Sequence, residues 1–316
     1  MAPQTRTEVV VTGGAGSIAR PRAEHGAAAP TSAGLAPARW AGAPARLARM
    51  DRLSALALVV CDACLLDAGF APDDARFDGE RLALVLGTAY GCHDTNEEYY
   101  RGLLAHGASG ASPRLFAYTL PSSAVGEIGI HYRVRGPATT LASGLAAGAD
   151  ALGEALRQLR SGRADRALAI AADVATPLLA RLVANGLTIA DSAAALLLER
   201  AEHAAERGAI VRARVLGAAR GYAGGDRRAA VEDAIRRALD DAALAPAAIT
   251  RVVGAPEDAA ATRALGVSAG AETPAPEALA AAPLVAAARW LAAPDGNLLI
   301  VAGDPAGAGS AVVLAR

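Results

Sequence analysis

Short apolar runs of strand length alternate with helical segments along the whole chain. Glu8 to Thr12, Arg81 to Leu86, Thr139 to Ala142, Arg166 to Ala172 and Ala193 to Glu199 read as strands in the first part. Ile210 to Leu216, Arg251 to Gly254, Asn297 to Ala302 and Ser310 to Leu314 read as strands in the second. The segments between them favour helices: Asp51 to Ala68 with Asp51 as its cap, the polar stretch 94–106, Ser122 to Tyr132, Gly144 to Gln158, Asp226 to Ala243 and Pro276 to Ala292. Strands alternating with helices in both parts predict an α/β protein with layered sheets. Its 316 residues, 53% apolar and 20% charged, suffice to bury a large core.

Several chemistries are excluded or disfavoured at once. The chain contains no lysine, so no lysine Schiff base, lysine base or P-loop lysine is available. A net charge of −1 gives no basic surplus for nucleic acid. Cys61 and Cys64 lie within the apolar pattern of one helix and read as small buried hydrophobes. With no second ligand pair spaced for zinc, neither a metal nor a cofactor is expected. Three cysteines, Cys92 being the third, make no disulfide framework, which suits a reducing compartment. No signal-peptide pattern and no uncharged stretch of ~20 apolar residues stands out, so the expected location is the cytoplasm. Residues 21–44, rich in Ala, Pro and Gly, read as a loop or excursion.

Two glycine-rich segments compete for a functional role. Val9-Val10-Val11-Thr12-Gly13-Gly14-Ala15-Gly16 has a strand feeding a glycine turn, as at the start of a dinucleotide fold. The helix expected next is replaced by the Ala/Pro-rich stretch, and no acidic residue ends a second strand about 20 residues on. A Tyr-x-x-x-Lys pair is impossible without lysine. The more specific segment is 136–153, Gly-Pro-Ala-Thr-Thr-Leu-Ala-Ser-Gly-Leu-Ala-Ala-Gly-Ala-Asp-Ala-Leu-Gly. It resembles the nucleophile segment of β-ketoacyl synthases, in which Gly-Pro, a short strand and a small-residue turn lead to a cysteine at the head of a buried helix. Free backbone N–H groups and the helix dipole favour a thiolate and an oxyanion there.

The resemblance continues in order along the chain. Asp51 to Ala57 is similar to the family's early helix, and Val85 to Gly91 to its strand and Gly-Thr turn. Gly162 to Ala169 and Asp191 to Glu199 resemble the stretches that follow the nucleophile helix, and Gly307 to Leu314 the glycine-rich end. The resemblance implies a thiolase-like layered αβαβα fold with two related halves. The first would span 1–205 and the second, shortened, 206–316.

Counted from Gly136, the family's cysteine falls on Leu145, which has no lone pair with which to attack a thioester. The family's two histidines are also missing. Val252-Val253-Gly254-Ala255-Pro256-Glu257-Asp258 occupies the place of the first, and Thr273-Pro274-Ala275-Pro276-Glu277 that of the second. The resemblance therefore implies a degenerate member of chain-length-factor type. Such a subunit pairs with an active ketosynthase, meets the acyl carrier protein through that partner, and shapes the acyl tunnel. The pathway would be type II polyketide, aryl-polyene or fatty-acid-like synthesis. Two alternatives stand beside it: a diverged acyltransferase or thioester hydrolase using Cys92, Ser143 or Ser192, and a structural homodimer without a tunnel. His131, at a helix end before the Gly-Pro turn, reads as a packed residue.

Overall fold

The computed structural model describes residues 6–18, 47–71, 74, 77–183 and 189–316. The Ala/Pro-rich stretch expected to form a loop lies outside them. Among the described residues ten strands form one continuous sheet: β1 (Val9–Ile18), β2 (Leu82–Gly87), β3 (Ala138–Leu141), β4 (Arg166–Asp173), β5 (Ser192–Arg200), β6 (Ala213–Tyr222), β7 (Arg251–Val253), β8 (Gly270–Glu272), β9 (Asn297–Asp304) and β10 (Ala308–Ala315). Their order is β3-β2-β4-β5-β1-β6-β10-β9-β7-β8. Read outward from the centre, β6 to β10 repeat the order of β1 to β5.

The polarities repeat as well. β5 runs antiparallel to β1 and β4, and β2 runs parallel to β3 and β4. In the second half β10 runs antiparallel to β6 and β9, and β7 runs parallel to β8 and β9. The halves join by the antiparallel pairs Val10–Arg214 and Val11–Ala213, the join that a two-fold relation between them requires.

Helices divide the molecule into layers. Among the described residues they are, in chain order, α1 (Arg52–Asp67), α2 (His93–His106), α3 (Pro113–Phe116), α4 (Ser122–Tyr132), α5 (Ala147–Arg160), α6 (Pro177–Val183), α7 (Ala201–Glu206), α8 (Arg227–Ala242), α9 (Pro256–Ala264) and α10 (Ala282–Trp290). α1 and α4 cover the outer face of the first half, and α8 that of the second. α5 and α10 lie between the halves and touch strands of both. Strand alternation feeds three separate cores. Ala83 and Val85 of β2 face the central core, whereas Leu82, Leu84 and Leu86 face α1. Leu298 and Ile300 of β9 face the centre, and Leu299 and Val301 face α8. This is the layered, two-halved arrangement that the resemblance implies.

Three local expectations need correction. β1 does not stop at Thr12 but runs on through the glycines, paired with β5 to Ile18. A Cβ on Gly13 would lie 2.6 Å from the Cys64 carbonyl oxygen, so these glycines let helices close on the strand rather than cradle a phosphate. β6 begins and ends later than expected, leaving Ile210 and Val211 exposed outside it. The helix expected from Pro276 to Ala292 is two pieces, a 3-10 turn (Pro276–Ala281) and α10, broken at Leu279 with φ 46°. The Ser192 hydroxyl donates to the Ala278 carbonyl (2.9 Å), and the Ala280 N–H donates to Asp173 (3.0 Å). Those distant partners hold backbone groups next to the break.

Candidate active site

β3 delivers the chain to Ser143, and a 3-10 turn (Gly144–Ala146) leads into α5. Leu145 sits half-buried on this turn, at the head of the central helix. Its backbone N–H donates to Oδ2 of Asp304, at 3.0 Å, where β9 ends. The other carboxylate oxygen accepts from the Ala306 N–H at 2.8 Å. Gly144 adopts φ 62°, and a Cβ there would stand 1.9 Å from the same Oδ2. The Asp304 carboxylate thus fills the space against this turn. In the sequence 303–309 lies between two expected strands, but nothing local singles out Asp304.

Two buried carboxylates build the surroundings. Asp173 accepts from the Thr88 hydroxyl (2.9 Å), the Ala89 and Tyr90 N–H groups (2.8 and 3.2 Å) and the Ala280 N–H (3.0 Å). It therefore clasps the Gly-Thr turn after β2 to the 276–281 strap. Burial raises its pKa to about 6, against the lowering effect of those donors. The strap in turn lies on α5, where a Cβ on Gly148 would come within 2.0 Å of the Ala280 carbonyl oxygen.

Asp258 stands in the second half, shortly after β7. It accepts from Arg227 Nε and Nη2, each at 2.8 Å, and from the Gly303 N–H at 3.0 Å. Arg227, Asp258, Gly303, Asp304 and Leu145 thus form one connected polar chain. Asp258 lies on α9, a helix that sequence reading missed. The signals were present, with Pro256 at the first helical position and Glu257 and Asp258 in the first turn.

The three alternative nucleophiles are each tied to a different partner. Cys92 is buried at the start of α2, with Asn96 Nδ2 donating to its sulfur at 3.6 Å. Burial, then the charge of Asp51, pushes its thiol up to about 11, away from the thiolate range. Ser143 donates to Oδ2 of Asp150 at 2.5 Å, and Arg220 pairs with the other oxygen of that carboxylate at 3.1 Å. Ser192 is buried and committed to the Ala278 carbonyl. His131 stacks edge-on against Tyr132, with ring centroids 4.7 Å apart. Among the described residues no group of three His, Cys, Asp or Glu side chains is placed to hold a metal ion. No described helix is long and apolar enough to cross a membrane.

The family model for the β-ketoacyl synthase N-terminal domain matches residues 15–184, more than half of the chain. The chain belongs to the β-ketoacyl synthase family. Nodulation protein E of Rhizobium leguminosarum bv. trifolii is 32% identical over 192 residues, covering 54% of this chain and 47% of the relative. The granaticin polyketide putative β-ketoacyl synthase 1 of Streptomyces violaceoruber is 30% identical, covering 66% of this chain and 58% of the relative. This ketosynthase-like chain therefore spans about half the length of the curated relatives it matches. Among solved structures, the ishigamide ketosynthase/chain length factor superposes with a TM-score of 0.78 at 24% identity, over 98% of this chain and 99% of the other. A chain of the AntDE:AntF complex, a type II polyketide acyl carrier protein with its ketosynthase, gives 0.80 at 19% identity, over 99% and 100%. These likenesses establish the thiolase-like fold.

Proposed function

We propose that this chain is a non-catalytic ketosynthase-like subunit of chain-length-factor type. It pairs with an active ketosynthase and shapes that partner's acyl tunnel in type II polyketide or related synthesis. On this reading residues 1–205 and 206–316 are its two ketosynthase-like halves, and the acyl carrier protein docks through the partner. The observation that carries the proposal is the head of α5: a leucine stands at the nucleophile position, and its N–H is already bonded to an internal carboxylate. An Asp258–Arg227 ion pair stands in the segment of the first missing histidine, and a bent strap in that of the second. The likeness to a ketosynthase/chain length factor structure supports the same assignment.

A docking surface suits such a partner. Among the described residues β3 ends the sheet, which leaves its outer backbone groups for pairing. Beside it α4 exposes Ile130 (70%), and the segment joined to α4 by the Tyr118–Glu127 hydrogen bond exposes Phe116 (63%). Co-expression with a ketosynthase encoded nearby, followed by size-exclusion chromatography, tests the pairing. A one-to-one complex is expected. A chain that elutes alone or as a homodimer, with the ketosynthase eluting separately, contradicts it.

A further inference from the structure

We infer that Asp304 is a second and separate block on acyl transfer, so that restoring a thiol at position 145 would not by itself restore the chemistry. This rests on the reading of the chain as non-catalytic and extends it to a residue that the sequence did not point to. A thiolate attacking a thioester forms a new C–S bond while the carbonyl π pair moves onto oxygen. The pair then returns, the old C–S bond breaks, and the displaced thiolate leaves and takes up a proton. The transient O⁻ needs N–H donors aimed at it before it forms. Here the Leu145 N–H already donates to Asp304 Oδ2 at 3.0 Å.

The carboxylate is held in place from several sides. Its second oxygen accepts from Ala306, and the Gly303 N–H just before it is fixed by Asp258, itself clamped by Arg227. The missing side chain of Gly144 leaves room for it, since a Cβ there would overlap Oδ2. A negative charge at this point also opposes both the thiolate and the oxyanion that catalysis would create. Leu145 removes the nucleophile, and Asp304 occupies the N–H donor that the developing charge would need.

The two effects separate in a ratio. Variant L145C and the double variant L145C/D304A are treated with iodoacetamide and, separately, with the small thioester S-acetyl-N-acetylcysteamine. Modification at position 145 is followed by peptide mass mapping. Alkylation forms no oxyanion, so it corrects for thiol access and for any change in thiol pKa. D304A is expected to raise the acylation-to-alkylation ratio about a hundredfold, the size of one oxyanion donor. If D304A fails to fold, D304S serves, because its shorter side chain also vacates the carboxylate position. A ratio that stays within about threefold, including no acylation in either protein, overturns the inference. The readout uses an introduced thiol, so it is independent of whether the natural chain condenses or pairs with a partner.

Discussion

Glu199 on β5 is fully buried, and its carboxylate accepts from the Thr12 hydroxyl (2.6 Å), Arg166 Nε (2.8 Å) and Arg207 Nε (3.0 Å). Both guanidinium groups also lie over the Phe70 ring, at 5.5 and 4.3 Å from its centroid. Removing the anion alone would take the carboxylate away from Arg207, whose side chain is only 5% exposed. Glu199→Ala is therefore expected to lower stability by about 3–5 kcal/mol, read from urea unfolding midpoints. Burial alone would raise the pKa of this carboxyl, but Arg207, Thr12 and Arg166 outweigh it and hold the pKa below the ordinary 4.5. Its stabilising effect is thus present above pH 4.5 and lost as the pH falls through the lowered value. Glu199→Gln should flatten the acid limb of the stability curve. Asp173 has the opposite sign. Its folded pKa of about 6 lies above the ordinary 3.8, so its contribution is greatest below 3.8 and is lost as the pH rises through 6. A carboxyl signal titrating near 6 in the wild type and absent in Asp173→Asn is the expected NMR result; a midpoint near 4 would contradict it.

At the scale of elements, close approach and backbone conformation set the strain. Ala243 closes α8 in the left-handed region at φ 54°, where a glycine carries no Cβ penalty. Ala243→Gly should raise stability by up to about 1 kcal/mol, seen as a higher melting temperature. Gly148→Ala should cost about 3 kcal/mol, because the new methyl meets the Ala280 backbone carbonyl. Local signals made some elements legible in sequence. Asp51 caps α1 by accepting from the Ser54 N–H, and α4 runs from Ser122 to Tyr132 as its pattern indicates. The misread elements depend on distant partners. β1 continues through glycines because α1 lies against it, and the strap bends beside contacts to Asp173 and Ser192, far away in sequence. The candidate site divides the same way. Leu145 was legible by position within its motif, whereas Asp304 was not, because the residue it meets is 159 positions away.

For the whole molecule, the repeated strand order places β3 and β8 at the two ends of one sheet. The β3 end has the exposed apolar neighbours, and it is the end assigned here to the ketosynthase partner. Ile130→Asp is expected to weaken co-purification with that partner at least tenfold while leaving the chain's own melting temperature nearly unchanged, since Ile130 is mostly exposed. Leu145 and the Asp304 contact both bear on the proposal that this chain performs no condensation of its own. The most direct test incubates the purified chain alone with malonyl- and acyl-carrier-protein thioesters and measures carbon dioxide release and acyl transfer to the protein. The account predicts release at the level of the protein-free control and no acyl adduct. Sustained release, or a stable acyl adduct on any residue of this chain, would contradict it.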